Sequence, residues 1–177
     1  MKRSINEIAS TALKAARGAG VPLGHAEEFA RAVEVLARRG DVDGLVEAAE
    51  ALTRPHRTAK LLQEAAECTL QPASAIMAMP IACDLLGAGI GEVRLRDCTE
   101  LRLAQAFAVL SAAKVVSSEG DLRVTAAEEM DMPEFSGPCA VPDRAWVIFT
   151  EFAAKTFVPE TEASRQSGAG AGLTDND

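Results

Sequence analysis

The sequence has no tyrosine, one tryptophan and only 4% aromatic residues. That disfavours a β-sandwich, whose strands draw on aromatic and β-branched side chains. Histidine is nearly missing, His25 and His56 being the two, and the four cysteines Cys68, Cys83, Cys98 and Cys139 form no CxxC pair. A zinc site is not expected from such spacing, and the acidic cluster Glu128, Glu129, Asp131 and Glu134, with no histidine beside it, reads as a solvated loop rather than a metal site. Behind the basic start MKRS there is no apolar segment of the kind a secretory signal needs, so the expected setting is a reducing cytoplasm with free thiols. The most apolar run, Ala73 to Leu86, falls short of the roughly 20 residues a bilayer requires, so no membrane partner is expected. Clusters of basic residues are lacking too. With a formal charge of -8 and a pI near 4.9, the chain offers nucleic acid no general attraction. No internal repeat and no cofactor motif is present.

What the chain does have is apolar small residues. At 48% hydrophobic over 177 residues it can fill one core with Ala, Leu, Val and Ile, which favours closely packed helices. Ser4-Ile5-Asn6-Glu7 has the form of a capping box, and Ile5, Ile8, Ala12 and Ala16 continue it as one stripe until Gly18, Gly20 and Pro22. A second helix is expected from about Ala26 to Arg39. A third, short one, capped by Asp41 or Asp43, carries Leu45, Ala49 and Leu52 and ends at Pro55. From Thr58 to Leu70 the spacing of Leu61, Leu62, Ala65 and Thr69 predicts a fourth. Ala73 to Leu86 reads as a buried helix kinked at Pro80 or as a strand-turn-helix, with Asp84 capping, exposed or held in a pocket.

Gly87-Ala88-Gly89-Ile90-Gly91 invites a nucleotide-loop reading. The spacing is not G-x-G-x-x-G, however, and the next segment, residues 92 to 98, alternates as a half-buried strand where a phosphate loop needs a helix N-terminus. Thr99 is placed to cap a helix to about Ala113. Lys114 to Ser118 and Leu122 to Ala127 read as a hairpin turning at Glu119-Gly120-Asp121, and residues 128 to 142 as an acidic, proline-bearing loop. A last helix runs from Asp143 through Phe157, with Trp146, Phe149 and Ala153 on its core face. The predicted fold class is α+β and helix-rich: one globular domain over residues 1–158, its helices surrounding a small sheet that includes the C-terminal-half β-hairpin.

Residues 159–177 are a Gly-rich terminal segment, ETEASRQSGAGAGLTDND after Pro159. Alternating glycines bring bare N–H groups to a ligand or another segment, and Arg165 supplies a positive fork. The candidate ligand-binding residues are therefore Glu162, Ser164, Arg165, Gly168, Gly170, Gly172, Asp175 and Asp177. The competing reading is a flexible tail with a glycine hinge. No nucleophile–base pair can be read from the spacing, so no catalytic residue is assigned and enzymatic activity is left open.

The opening, Asn6-Glu7-Ile8, Lys14-Ala15-Ala16-Arg17-Gly18-Ala19-Gly20 and Ala26-Glu27-Glu28, and the close, Val158-Pro159, Glu162-Ala163-Ser164-Arg165 and Gly168 to Asp177, resemble a bacterial family of unknown function. Its members are similar chains ending in the same GAGAGLTDND. Where the resemblance would place a Trp directly before Gly24, this chain has Leu23. The resemblance implies no activity, but it implies that the terminal motif belongs to the fold and docks on the domain. The expected function is binding of a small anionic metabolite, as a protein or enzyme subunit of bacterial metabolism. The alternative is a noncatalytic interaction or oligomerisation protein that meets a partner subunit or forms a homo-oligomer.

Overall fold

The computed structural model describes the chain except residues 65–66, 72–73, 128–131, 133, 135–136 and 157–177. In chain order the elements are β1 (Lys2–Arg3), α1 (Ile5–Gly18), α2 (Leu23–Arg38), α3 (Val42–Ala51), β2 (Lys60–Glu64), β3 (Glu67–Gln71), α4 (Ala75–Gly87), β4 (Glu92–Leu95), α5 (Leu101–Leu110), β5 (Ala113–Ser118), β6 (Asp121–Ala126), β7 (Cys139–Ala140) and α6 (Asp143–Ala154). This is the expected helix-rich α+β architecture. None of its helices is long and apolar enough to cross a membrane.

The first three helices follow from their caps and stripes. The Ser4 hydroxyl accepts from the Glu7 amide at 3.2 Å, although Glu7 turns its carboxylate to Arg3 at 2.6 Å and does not close the box. Asp41 caps α3 by accepting from the Gly44 amide at 2.9 Å. Ile8, Ala12, Phe29, Val33, Leu36 and Leu45 are buried as the periodicity requires. The helices then stack in layers, α6 against α1 and α3, α1 against α2, and α2 against α4 and α5, with α4 and α5 lying on the sheet. Gly18 lets α1 and α6 approach: a β-carbon there would collide with the carbonyl of Phe152. The apolar run at 75–87 is a helix with Pro80 inside it, and Asp84 on it is exposed, as the surface reading had it. Gly89, at φ 94°, ends α4 with Ile90 N–H donating back to Leu85 C=O at 3.0 Å, so this glycine stretch is a helix stop.

The sheet has the order β2-β3-β4-β6-β5, mixed, with β3 and β4 parallel and the other pairs antiparallel. Cys68, Leu70, Val93, Leu95, Leu122, Val124, Ala113 and Val115 face α4 and α5 and are buried. The row Leu62, Thr69, Arg94, Arg123 and Val116 crosses the opposite face, register by register. The hairpin β5–β6 turns through Glu119 at φ 52° and Gly120 at φ 87°, the left-handed pair a two-residue turn requires.

Four local expectations are corrected. Lys60–Glu64 and Glu67–Gln71 are the antiparallel strands β2 and β3, where the spacing predicts a fourth helix over Thr58 to Leu70. Leu, Gln and Glu are good helix formers, but local propensity is a weak prior, and sheet pairing overrides it where Cys68 and Leu70, two apart, meet Val93 and Leu95. Thr99 does not cap α5; Glu100 holds the cap position without a side-chain bond, and the Thr99 hydroxyl accepts from Arg54 instead. Asp143 lies in the first turn of α6, with Pro142 at the cap. Within the loop expected at 128–142, Cys139 and Ala140 pair with Arg3 and Lys2.

Candidate functional site

Two concavities whose linings are described differ in what their side chains leave unused. The larger, about 310 Å³, runs between α3 and the turn into α5 and is lined by Asp43, Val46, Glu47, Glu50, Arg54, Thr99 and Glu100. At its floor Glu100 is only 2% exposed. One of its carboxylate oxygens accepts from Arg54 Nη1 at 2.7 Å and the other from the Cys98 thiol at 3.3 Å. Glu47, reaching across from α3, accepts from the Leu103 amide at 2.8 Å and so satisfies one of the N–H groups that the start of α5 leaves without a helical partner. Burial raises the Glu47 carboxyl above its ordinary value, the Leu103 amide opposes that shift, and the Glu100 charge adds to it. Asp43 pairs with Arg102 at 3.5 Å and Glu50 with Arg144 at 2.6 Å.

Every carboxylate in this cleft therefore already has a partner. Burial, then the Glu100 carboxylate, push the Cys98 thiol far upward, the opposite of an activated nucleophile. Cys83 is shifted in the same direction, mainly by burial. The cleft is a closed polar network that fixes α3 to the start of α5, and it leaves little capacity for a ligand.

The smaller concavity, about 240 Å³, sits where the C-terminal end of α2 meets α5 and the edge strand β5, and it is lined by Arg39, Gln105, Ala108, Ala113, Lys114 and Val115. Arg39 follows the last turn of α2 because a cation there complements the helix dipole. Gln105 lies on the exposed side of α5, while Ala108, Ala113 and Val115 form the buried apolar floor. Among the described residues, neither Arg39 nor Lys114 makes an ion pair and Gln105 makes no side-chain hydrogen bond. No carboxylate lines the pocket. It therefore combines unused donors with an apolar wall, as a small-molecule site does.

The sequence did not single this pocket out. Its residues come from three elements and share no motif; the usable signal was the pair Arg38-Arg39 at a helix end, which on sequence alone is fully explained by the dipole. The expected site residues Glu162, Ser164, Arg165, Gly168, Gly170, Gly172, Asp175 and Asp177 lie outside the described residues. Leu23, in the place where the resemblance would have Trp, is 58% exposed and lines neither concavity. No group of three or more His, Cys, Asp or Glu side chains suited to a metal occurs among the described residues. His56 is half-buried, and burial lowers its imidazole below the ordinary value, with the Leu52 backbone opposing that shift.

No curated protein matches the sequence. Among solved structures, a malate dehydrogenase from Entamoeba histolytica is similar over 75% of this chain at 12% identity and a TM-score of 0.48. The chain spans 47% of that enzyme, and a likeness at this level carries no inference about activity. Residues 3–77, from β1 into the start of α4, match the model of a family described as a protein of unknown function, DUF3726, so the resemblance to an uncharacterised family is shown for that stretch.

Proposed function

We propose that the chain binds a small anionic metabolite, with the acidic group of the ligand held by Arg39, Gln105 and Lys114 and its apolar part on Ala108, Ala113 and Val115. The observation that carries this reading is the contrast between the two concavities. In the α3–α5 cleft the carboxylates are paired with arginines or amides, whereas at Arg39, among the described residues, the donors are unused and no carboxylate competes for them. Arg39 provides a planar fork that suits a carboxylate or phosphate, and Lys114 adds a point charge on the edge strand. Binding is the whole of the proposal; no reaction is assigned to the pocket.

Thermal unfolding in the presence of phosphate, sulfate and mono-, di- and tricarboxylates tests it. A ligand at a hundred times its Kd raises Tm by about 5–10 °C for a chain of this size. Arg39→Ala should abolish that rise while leaving the unliganded Tm within a degree or two, and Arg165→Ala should leave the rise intact. Loss of the rise in Arg165→Ala alone would move the site to the terminal segment. No rise with any anion in the wild-type protein would end the binding proposal.

A further inference from the structure

The outer edge of the sheet at β2 carries two adjacent leucines that nothing covers among the described residues. Leu61 is 47% exposed and Leu62 41% exposed. β2 is the first strand in the sheet order, so β3 satisfies one side of its backbone and the other side has no strand among the described residues. Natural edge strands are usually blunted by proline, a bulge or charged side chains, and the stretch Lys60-Leu61-Leu62-Gln63-Glu64 has no proline and no bulge and carries its charges only at its two ends. We infer that β2 pairs antiparallel with β2 of a second copy of this chain, across a two-fold axis at Leu62, joining the two five-stranded sheets into one.

The choice of a second copy rests on self-complementarity. A two-fold interface sets a patch against itself, and the register centred on Leu62 is the one that overlaps all five residues of the strand. In that register Leu62 meets its own counterpart, Leu61 meets Gln63, and Lys60 stands opposite residue 64, a glutamate. Both ends of the pairing thus bring opposite charges together, and the centre brings two exposed leucines together. An unrelated strand would have no reason to match this pattern at both ends. The cross-sheet row Leu62, Thr69, Arg94, Arg123 and Val116 would continue through the axis into the second sheet. Five residues per strand span only about 17 Å and bury far less than the roughly 1,200 Å² of a tight interface. The dimer is accordingly a weak one that responds to concentration.

Sedimentation equilibrium of the full chain from about 1 µM to 1 mM at low salt is the test, a range chosen for an interface of this size. The protein of 18.6 kDa should move from monomer toward twice that mass across the range. Lys60→Glu and Glu64→Lys each place like charges opposite one another at both ends, and each should weaken association by about tenfold, the swing expected for two cross-strand charge pairs. The double variant carrying both changes restores opposite charges and should return to within about threefold of wild type. An equimolar mixture of the two single variants should associate better than either alone. Far-ultraviolet circular dichroism confirms that each variant keeps its fold. A wild-type mass that stays monomeric throughout, or a double variant that remains as weak as the singles, would overturn the β2 pairing.

Discussion

Glu47 shows how one side chain can be both a structural fastener and a source of pH dependence. Its carboxyl holds the start of α5 through the Leu103 amide, and burial raises its pKa. A carboxyl raised in the folded state holds more protons there than in the unfolded chain, so its contribution to stability is greatest below the ordinary glutamate value and is lost as pH rises through the folded pKa. Glu47→Gln keeps an acceptor for Leu103 and removes the titration. Its denaturation midpoint should therefore be less pH-dependent than that of wild type from about pH 4.5 upward. Glu47→Ala leaves the amide without its partner and should cost about 1–2 kcal/mol, as losing a helix cap does. Arg54→Ala should cost about 1–3 kcal/mol, because Glu100 is buried while Arg54 itself is 52% exposed and partly screened. Equal pH dependence of wild type and Glu47→Gln would show that Glu47 is not the titrating group.

At the scale of elements, close packing and turn geometry make separate predictions. Gly18→Ala drives a methyl into the Phe152 carbonyl and should separate α1 from α6, at about 1–3 kcal/mol as judged from urea midpoints. Glu119→Asn should instead stabilise the β5–β6 turn by about 0.5–1 kcal/mol, since asparagine accepts the left-handed backbone that Glu119 holds at φ 52°. The turn and its flanking strands were legible in the sequence because Glu-Gly sits between two alternating runs. The helices α1, α2 and α3 were legible because their apolar stripes and caps are local. The strand pair β2–β3 was not, since Leu61 and Leu62 give helix-like spacing while the partners of Cys68 and Leu70 lie over twenty residues downstream at Val93 and Leu95. The pair β1–β7 escaped for a related reason: two-residue strands carry no period, and Arg3 meets Cys139 from the other end of the described chain. Glu47 capping a helix 56 residues away belongs to the same class of long-range contact.

For the whole molecule, the layering decides where a ligand can enter. Helices cover one face of the sheet, and two concavities fall where layers end: at the α3–α5 seam, which a closed network occupies, and at the β5 edge, where Arg39, Gln105 and Lys114 keep their donors unused among the described residues. The β2 edge lies on the opposite side of the sheet from this pocket, so pairing of two copies there leaves the pocket accessible in both. The most direct test of anion binding at the β5 edge is a titration followed by two-dimensional ¹⁵N–¹H correlation spectra, with the most stabilising anion of the thermal panel, or with phosphate if none stands out. The Gln105 side-chain amide, the Arg39 Nε–H and the backbone amides of Ala113, Lys114 and Val115 should shift together in one saturable process. Shifts that never saturate, or that fall at residues away from these five while theirs stay still, would contradict the pocket as the binding site.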